Sequence, residues 1–300
     1  MPVLSPVVQN RALGALLGLA VGDALGTTLE FSARDTRPHY TEMTGGGPFR
    51  LAPGQWTDDT AMALALADSL ISRNGFDAPD LMARFVAWWR KGAYSCTGTC
   101  FDIGRTTAEA LARFEQTGNP YAGSKAPRTA GNGSLMRLAP VALFTLTDAG
   151  LACRIARDQS RTTHAAPETL AACTYLVTLL REGILGDPDV LRARTWTGSA
   201  RVRAIAAGEW RDKCRQQIRS SGYVLDTLEA ALWAVSQTSS FADALVLAVN
   251  LGGDADTVGA VTGQLAGALY DDLSDFEWSI IQPLLPTSRA GCHGRMTARC

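Results

Sequence analysis

The chain has 300 residues, 46% of them hydrophobic and 19% charged, which is enough apolar surface for a large core and excludes a disordered protein. A formal net charge of -1 excludes a general electrostatic pull toward nucleic acid or an anionic membrane, so a phosphate-bearing ligand must be held by local geometry. Seven scattered cysteines, odd in number and without the spacing of a structural zinc site, point to free thiols in a reducing, cytoplasmic compartment.

Residues 1–10 read as an N-terminal extension. The uncharged run from Ala12 to Gly22 follows Arg11 as a secretory segment would, but Asp23 ends it. Eleven uncharged residues are too few to span a bilayer, and Ala24-Leu25-Gly26 continues the same small-residue pattern, so the segment is predicted as a buried helix. Gly14, Gly18, Gly22 and Gly26 repeat every fourth residue along it. A glycine costs about 1 kcal/mol against alanine in a helix interior, so a whole face of glycine predicts very close approach of another helix.

After a glycine- and proline-rich loop at 45–54 comes Gln55-Trp56-Thr57-Asp58-Asp59-Thr60, at the head of a helix starting near Ala61. One capping residue satisfies a helix start, whereas four consecutive cap-type residues exceed that need. Adjacent carboxylates repel unless a cation or a proton lies between them, so Thr57, Asp58 and Asp59 are candidate metal ligands. Apolar residues at three- and four-residue spacing predict helices over 61–71, 78–90, 106–114, 151–159, 168–182, 224–235 and 241–249. Asp77 and Thr238-Ser239-Ser240 supply start signals, and Gly75 a stop. No run alternates as a strand, and the fold class is all-α in a single globular multi-helix domain.

Tyr94 to Gly104 is a small-residue stretch leading into a helix, where Asp102 alone reads as a cap. Gly131-Asn132-Gly133-Ser134, ahead of a mostly apolar 135–144, offers successive N–H groups to an anion, as glycine-rich turns do for pyrophosphate. His164 follows a helical segment in a polar turn, and Tyr223 follows Ser220-Ser221-Gly222; read singly, each is a structural residue as easily as a ligand contact.

Gly252-Gly253-Asp254-Ala255-Asp256-Thr257 repeats the acid and threonine design before a second glycine-faced helix, 258–269, with Gly259, Gly263 and Gly267. In an extended loop Asp254 is placed to bridge two ions while Asp256 and Thr257 bind one. Two remote clusters, each opening a helix, read as halves of one dinuclear site, and all-oxygen ligation selects magnesium, manganese or calcium over zinc. Asp254 and Asp256 also satisfy the pattern of an aspartyl-phosphate phosphatase, with Asp254 as nucleophile at a strand end. Only 46 residues (254 to 300) would then remain to complete a sheet, and the helical context opposes it.

Together these segments resemble the ADP-ribosylglycohydrolase family, most closely its bacterial branch acting on dinitrogen reductase. The matching stretches are Gly22 to Gly26 with Glu30, Gln55 to Thr60, Ser95 to Gly104, Gly131 to Arg137, Thr163-His164, Gly222-Tyr223 and Asn250 to Thr257, within residues 11 to 270. The resemblance implies an all-α domain, 11–285, with a central cleft holding two divalent ions, Mg2+ or Mn2+. By carry-over the metal ligands are Thr57, Asp58, Asp59, Asp254, Asp256 and Thr257; the catalytic set is Asp102, Glu30 and Asp59. Asn132, Gly133 and Ser134 fall where the diphosphate is cradled, and His164 and Tyr223 fall beside the ribose and adenine.

The implied reaction removes ADP-ribose from a modified protein, most simply at the N-glycosidic bond to arginine, with free ADP-ribose as product and neither membrane nor nucleic acid as partner. A carboxylate protonates the leaving group while metal ions orient sugar and water. The alternative is an immunity-type binding protein that blocks an ADP-ribosylating toxin by occlusion. Asp271-Asp272-Leu273-Ser274-Asp275 departs from the family pattern, and 286–300 reads as a divergent tail.

Overall fold

The chain enters its first helix at Ser5, whose hydroxyl accepts the Val8 N–H at 3.3 Å, while Pro6 occupies the first turn, where its missing N–H costs nothing. In the computed structural model, which describes residues 4–270, helix α1 is Pro6–Gly26. Residues 6–10, read from sequence as extension, are therefore its first turns. The departure after Tyr270 and the 286–300 tail lie outside the described residues.

Ten further α-helices follow among the described residues: α2 (Asp58–Arg73), α3 (Ala78–Lys91), α4 (Arg105–Thr117), α5 (Ala139–Phe144), α6 (Ala149–Thr163), α7 (Pro167–Leu185), α8 (Ala200–Ala207), α9 (Val224–Ser236), α10 (Phe241–Val249) and α11 (Ala255–Leu269). Asp77 and Ser240 cap α3 and α10 as the sequence predicts, each accepting the N–H three residues on. Residues 135–137 form turns before the short α5. Helix α8 went unpredicted because Ala200-Arg201-Val202-Arg203 alternates over too short a span to show a helical face.

The centre is the antiparallel pair α1 and α11. A Cβ added at Gly14, Gly18 or Gly22 would overlap the carbonyl oxygen of Gly267, Gly263 or Gly259, and the reciprocal additions would collide equally. Gly26 meets the Ala255 carbonyl in the same way. The two glycine faces are thus a backbone-to-backbone interlock that any side chain would wedge apart. By length and composition 6–29 is apolar enough to cross a membrane, a longer stretch than 12–22, but 78% of its 18-residue apolar window is buried inside the protein. Around it Trp56, Phe85, Trp88, Trp210 and Phe241 are buried in the main core.

This interlock sets the site. Asp23 lies one residue beyond Gly22 on α1, and Asp256 lies one residue beyond Ala255 on α11, so the register that pairs Gly22 with Gly259 and Gly26 with Ala255 also brings the two acids together.

Candidate active site

Two carboxylates from the α1 side cap helices that begin far away in sequence. Asp23 accepts the backbone N–H of Thr57 at 2.9 Å and of Thr60 at 3.0 Å, together with the Thr57 hydroxyl at 2.9 Å and the Thr60 hydroxyl at 2.6 Å. Glu30, just after α1, accepts the Ala255 N–H at 3.1 Å. With these donors satisfied from outside, neither Thr57 nor Asp254 makes a side-chain cap bond of its own. Asp58 and Asp59, in the first turn of α2, are therefore not needed as its cap, and the acid run exceeds what that helix start requires. The positive ends of α2 and α11 meet at the acids, the arrangement that favours negative charge.

Asp23, Asp59 and Asp256 each bring a carboxylate oxygen within 4.8 Å of the others, and Glu30, Asp102 and Asp256 do the same. Asp256 belongs to both groups. Asp254, expected from its loop position to be the bridging carboxylate, accepts a hydrogen bond from the Asn132 side-chain amide, and Asp256 is the residue common to both groups. Thr57 Oγ1 lies 3.3 Å from Asp59 Oδ2 and 3.4 Å from Asp256 Oδ2, and Thr257 Oγ1 lies 3.5 Å from Asp59 Oδ2. All six predicted metal ligands thus fall in or beside one cluster, with Asp58 lining the cleft that opens from it.

Burial first and like charge second raise Asp23, Glu30, Asp58, Asp59, Asp102 and Asp254. Burial and the charge of Asp256 push Asp23 and Asp254 up to about 7 and Asp102 up to about 9, and hold Glu30 far above the carboxylate range. Asp58 and Asp59 are raised by burial, then chiefly by the Asp102 and Asp23 charges respectively. Asp59 Oδ1 is buried without any hydrogen-bond partner. An orphaned buried carboxylate oxygen amid like charges is the signature of a site built for a cation, and an all-oxygen donor set fits a hard divalent ion.

Asp102 sits in a left-handed conformation (φ 55°) ahead of α4, costly for a non-glycine residue, with the neighbouring Phe101 ring packed 5.3 Å from that of Phe49. Asp102 and Glu30 share the wall of a 380 Å³ cleft with Asp58, Asn132, Gly133 and His164. A second cleft of 650 Å³ meets the first at Glu30 and Phe31 and runs along Arg37, Tyr40 and Gly45 to Pro48.

The side chains of the predicted cradle have partners within the protein. Asn132 donates its amide to Asp254 and, at 2.9 Å, to the Thr227 hydroxyl, and its backbone N–H to the Gly222 carbonyl. The Ser134 hydroxyl turns away into the core, 2.7 Å from that of Ser160. What the turn offers the cleft is the Gly133 backbone; the Gly133 N–H and the N–H of the fully buried Ser134 donate to no protein acceptor among the described residues. Tyr223 is tied to the flank, its hydroxyl donating to Glu168 at 2.6 Å and its ring under Arg201; Gly222, not the Tyr223 ring, forms that part of the cleft wall.

Asp254 heads α11, and the described residues contain only isolated bridges and no strand, so the strand-end nucleophile of a phosphatase has no counterpart here. Asp23 escaped the sequence reading, although a lone acid inside an uncharged glycine-faced helix was its signal, since a buried carboxylate demands partners.

The ADP-ribosylglycohydrolase family profile matches residues 4–274. The chain is 48% identical over 273 residues to ADP-ribosylarginine hydrolase Tri1 of Serratia proteamaculans, covering 90% of this chain and 74% of that protein. It is 50% identical over 263 residues to the Pseudomonas putida protein of the same name, covering 87% and 71%. ADP-ribosyl-[dinitrogen reductase] glycohydrolase of Rhodospirillum rubrum matches at 37%, covering 89% of each, so the arginine hydrolases share more identity with the chain than that branch does. A solved structure described as an ADP-ribosylglycohydrolase-related protein complex superposes with a TM-score of 0.79 at 42% identity, covering 92% of this chain and 96% of that one.

Proposed function

Since the chain belongs to the ADP-ribosylglycohydrolase family, we propose that it is a hydrolase that removes ADP-ribose from modified arginine side chains of a protein target, releasing free ADP-ribose. The observation that carries the reading is the double carboxylate cluster around Asp256, opening into a cleft lined by His164 and the Gly133 turn.

Thr57, Asp58, Asp59, Asp254, Asp256 and Thr257 would hold two divalent cations, Mg2+ or Mn2+, for which the orphaned Asp59 oxygen and the all-oxygen donor set are the support. When bound, such ions supply Lewis acidity toward sugar hydroxyls and water. Asp23 and Asn132 fix the ligands: the first anchors Thr57 and the start of α2, the second holds Asp254 in place.

Asp102 is the proposed acid and base, with Glu30 beside it. Burial first and the charge of Asp256 second raise the Asp102 carboxyl above the ordinary aspartate range in the metal-free protein, the direction a proton donor needs. As the ribose C1–N bond breaks, the Asp102 carboxyl gives its proton to the departing guanidino nitrogen. The resulting carboxylate takes one from the water whose oxygen forms the new C1–O bond, so water is consumed and the carboxyl restored. The cleft backbone holds the diphosphate through the Gly133 N–H group.

Hydrolysis and occlusion separate in one experiment. An Asp58→Ala, Asp256→Ala double variant is expected to leave an arginine-modified target modified, whereas wild type strips it. If the double variant still protects a target fully from a modifying enzyme, blocking by contact is the main activity.

A further inference from the structure

Behind the cleft lies a buried cation that the reaction as described does not use. Arg137 is fully buried, its guanidinium over the Phe85 ring at 4.5 Å, and no carboxylate pairs with it among the described residues. It donates through Nε to Gln159 Oε1 at 2.9 Å and through Nη2 to the Gln159 carbonyl at 3.0 Å and the Thr163 hydroxyl at 2.9 Å. An unpaired buried charge is costly, so its fixed donors need a purpose beyond packing.

A guanidinium only donates, so Thr163 Oγ1 must accept from Arg137. Among the described residues the Thr163 hydroxyl hydrogen then has one acceptor in reach, His164 Nδ1 at 2.9 Å. If Nδ1 instead carried the hydrogen, the Thr163 hydroxyl would be a buried donor with nowhere to donate. The imidazole is therefore an acceptor at Nδ1 and carries its hydrogen at Nε2. The ring lies against the glycine turn: a Cβ on Gly131 would stand 3.2 Å from Nε2, and one on Gly133 would stand 2.8 Å from Cε1. Nε2 has no hydrogen-bond partner among the described residues, and His164 lines the cleft beside Gly133. Burial first and the Arg137 charge second push the ring down to about 3, so it stays neutral through the physiological range.

We propose that Arg137 is a positioning residue: through the Thr163 hydroxyl it holds His164 as the Nε2–H tautomer, a fixed neutral donor offered to an oxygen of the ligand in the cleft. The ligand half of this statement rests on the cleft being the ADP-ribosyl site; the tautomer half does not.

The test is NMR of the full chain labelled with 15N-histidine, whose three histidines keep the spectrum sparse, with His164 assigned by its loss in His164→Gln. Wild type should show a protonated Nε2 and unprotonated Nδ1, unchanged from pH 8 to 5.5, with no ligand or metal needed. Thr163→Val should lose this pattern and weaken ADP-ribose binding by calorimetry about tenfold, and Thr163→Ser should restore both. Arg137→Met should also release the tautomer; where it fails to fold, the Thr163 pair carries the test. A wild-type His164 protonated at Nδ1, or a Thr163→Val protein with unchanged tautomer and affinity, overturns the proposal. Absence of ADP-ribose binding to wild type would instead count against the functional reading and leave the tautomer result standing.

Discussion

Gly22 and Gly259 touch backbone to backbone, and a Cβ on either would overlap the carbonyl oxygen of the other. The contact allows Asp23 and Asp256, on different helices, to share one carboxylate cluster. Gly22→Ala should therefore destabilise the protein by about 3 kcal/mol, at the high end of overpacking because backbone cannot rotate away. Gly150→Ala in the first turn of α6, where a Cβ meets nothing closer than 3.5 Å, is the contrast: neutral, or stabilising by up to about 1 kcal/mol. Urea denaturation of the two variants reads the difference.

Asp23 reaches no predicted metal ligand's role in sequence, yet it holds Thr57 and Thr60 through both their N–H and hydroxyl groups. Asp23→Ala leaves those donors without an acceptor and should cost about 3 kcal/mol. Its Mn2+ affinity, measured by calorimetry, should fall about tenfold to a hundredfold, the scale on which partners of ligands act. Unchanged affinity would limit Asp23 to a folding role.

Asp102→Asn should keep bound metal while turnover of an ADP-ribosyl-arginine peptide falls by about 10² to 10⁴, the usual contribution of a general acid. Metal content and released ADP-ribose are measured on the same preparation. Full turnover would move the proton transfer to Glu30, which shares the Asp256 group.

His164 gives a stability signature with a definite sign. Its folded pKa is depressed to about 3 against an unfolded value near 6.5, so the unfolded chain binds the proton first as pH falls. The group costs nothing above about pH 6.5, and its penalty grows below that until pH 3; at pH 5 it amounts to about 2 kcal/mol. Between pH 7 and pH 5, wild type should therefore lose about 2 kcal/mol more unfolding free energy than His164→Gln. Equal losses would mean that the ring is protonated in the folded protein.

The helices were legible because three- and four-residue apolar spacing reports a buried face directly, and the glycine ladder was legible because nothing but close approach justifies it. The two acid clusters were found as residues too polar for their local needs. Pair geometry was not legible. Asp254 looked like the bridging carboxylate from loop spacing alone, but it accepts from the Asn132 amide, and Asp256 is the residue common to both groups. Asn132 and Ser134 were placed at the diphosphate by resemblance, and a glycine-rich turn signals backbone donors without saying where side chains point; the Asn132 amide meets Thr227 and the Ser134 hydroxyl meets Ser160. Arg137, Thr163 and His164 form a chain of donors and acceptors that only a fold bringing the Gly131 turn against the end of α6 can assemble.

The claim on which the rest depends is metal-dependent cleavage at the ADP-ribosyl bond. Protein stripped with chelator and offered an ADP-ribosyl-arginine peptide should release no ADP-ribose, and Mn2+ or Mg2+ should restore release. Release unaffected by chelation, or absent with every divalent ion supplied, would contradict the account.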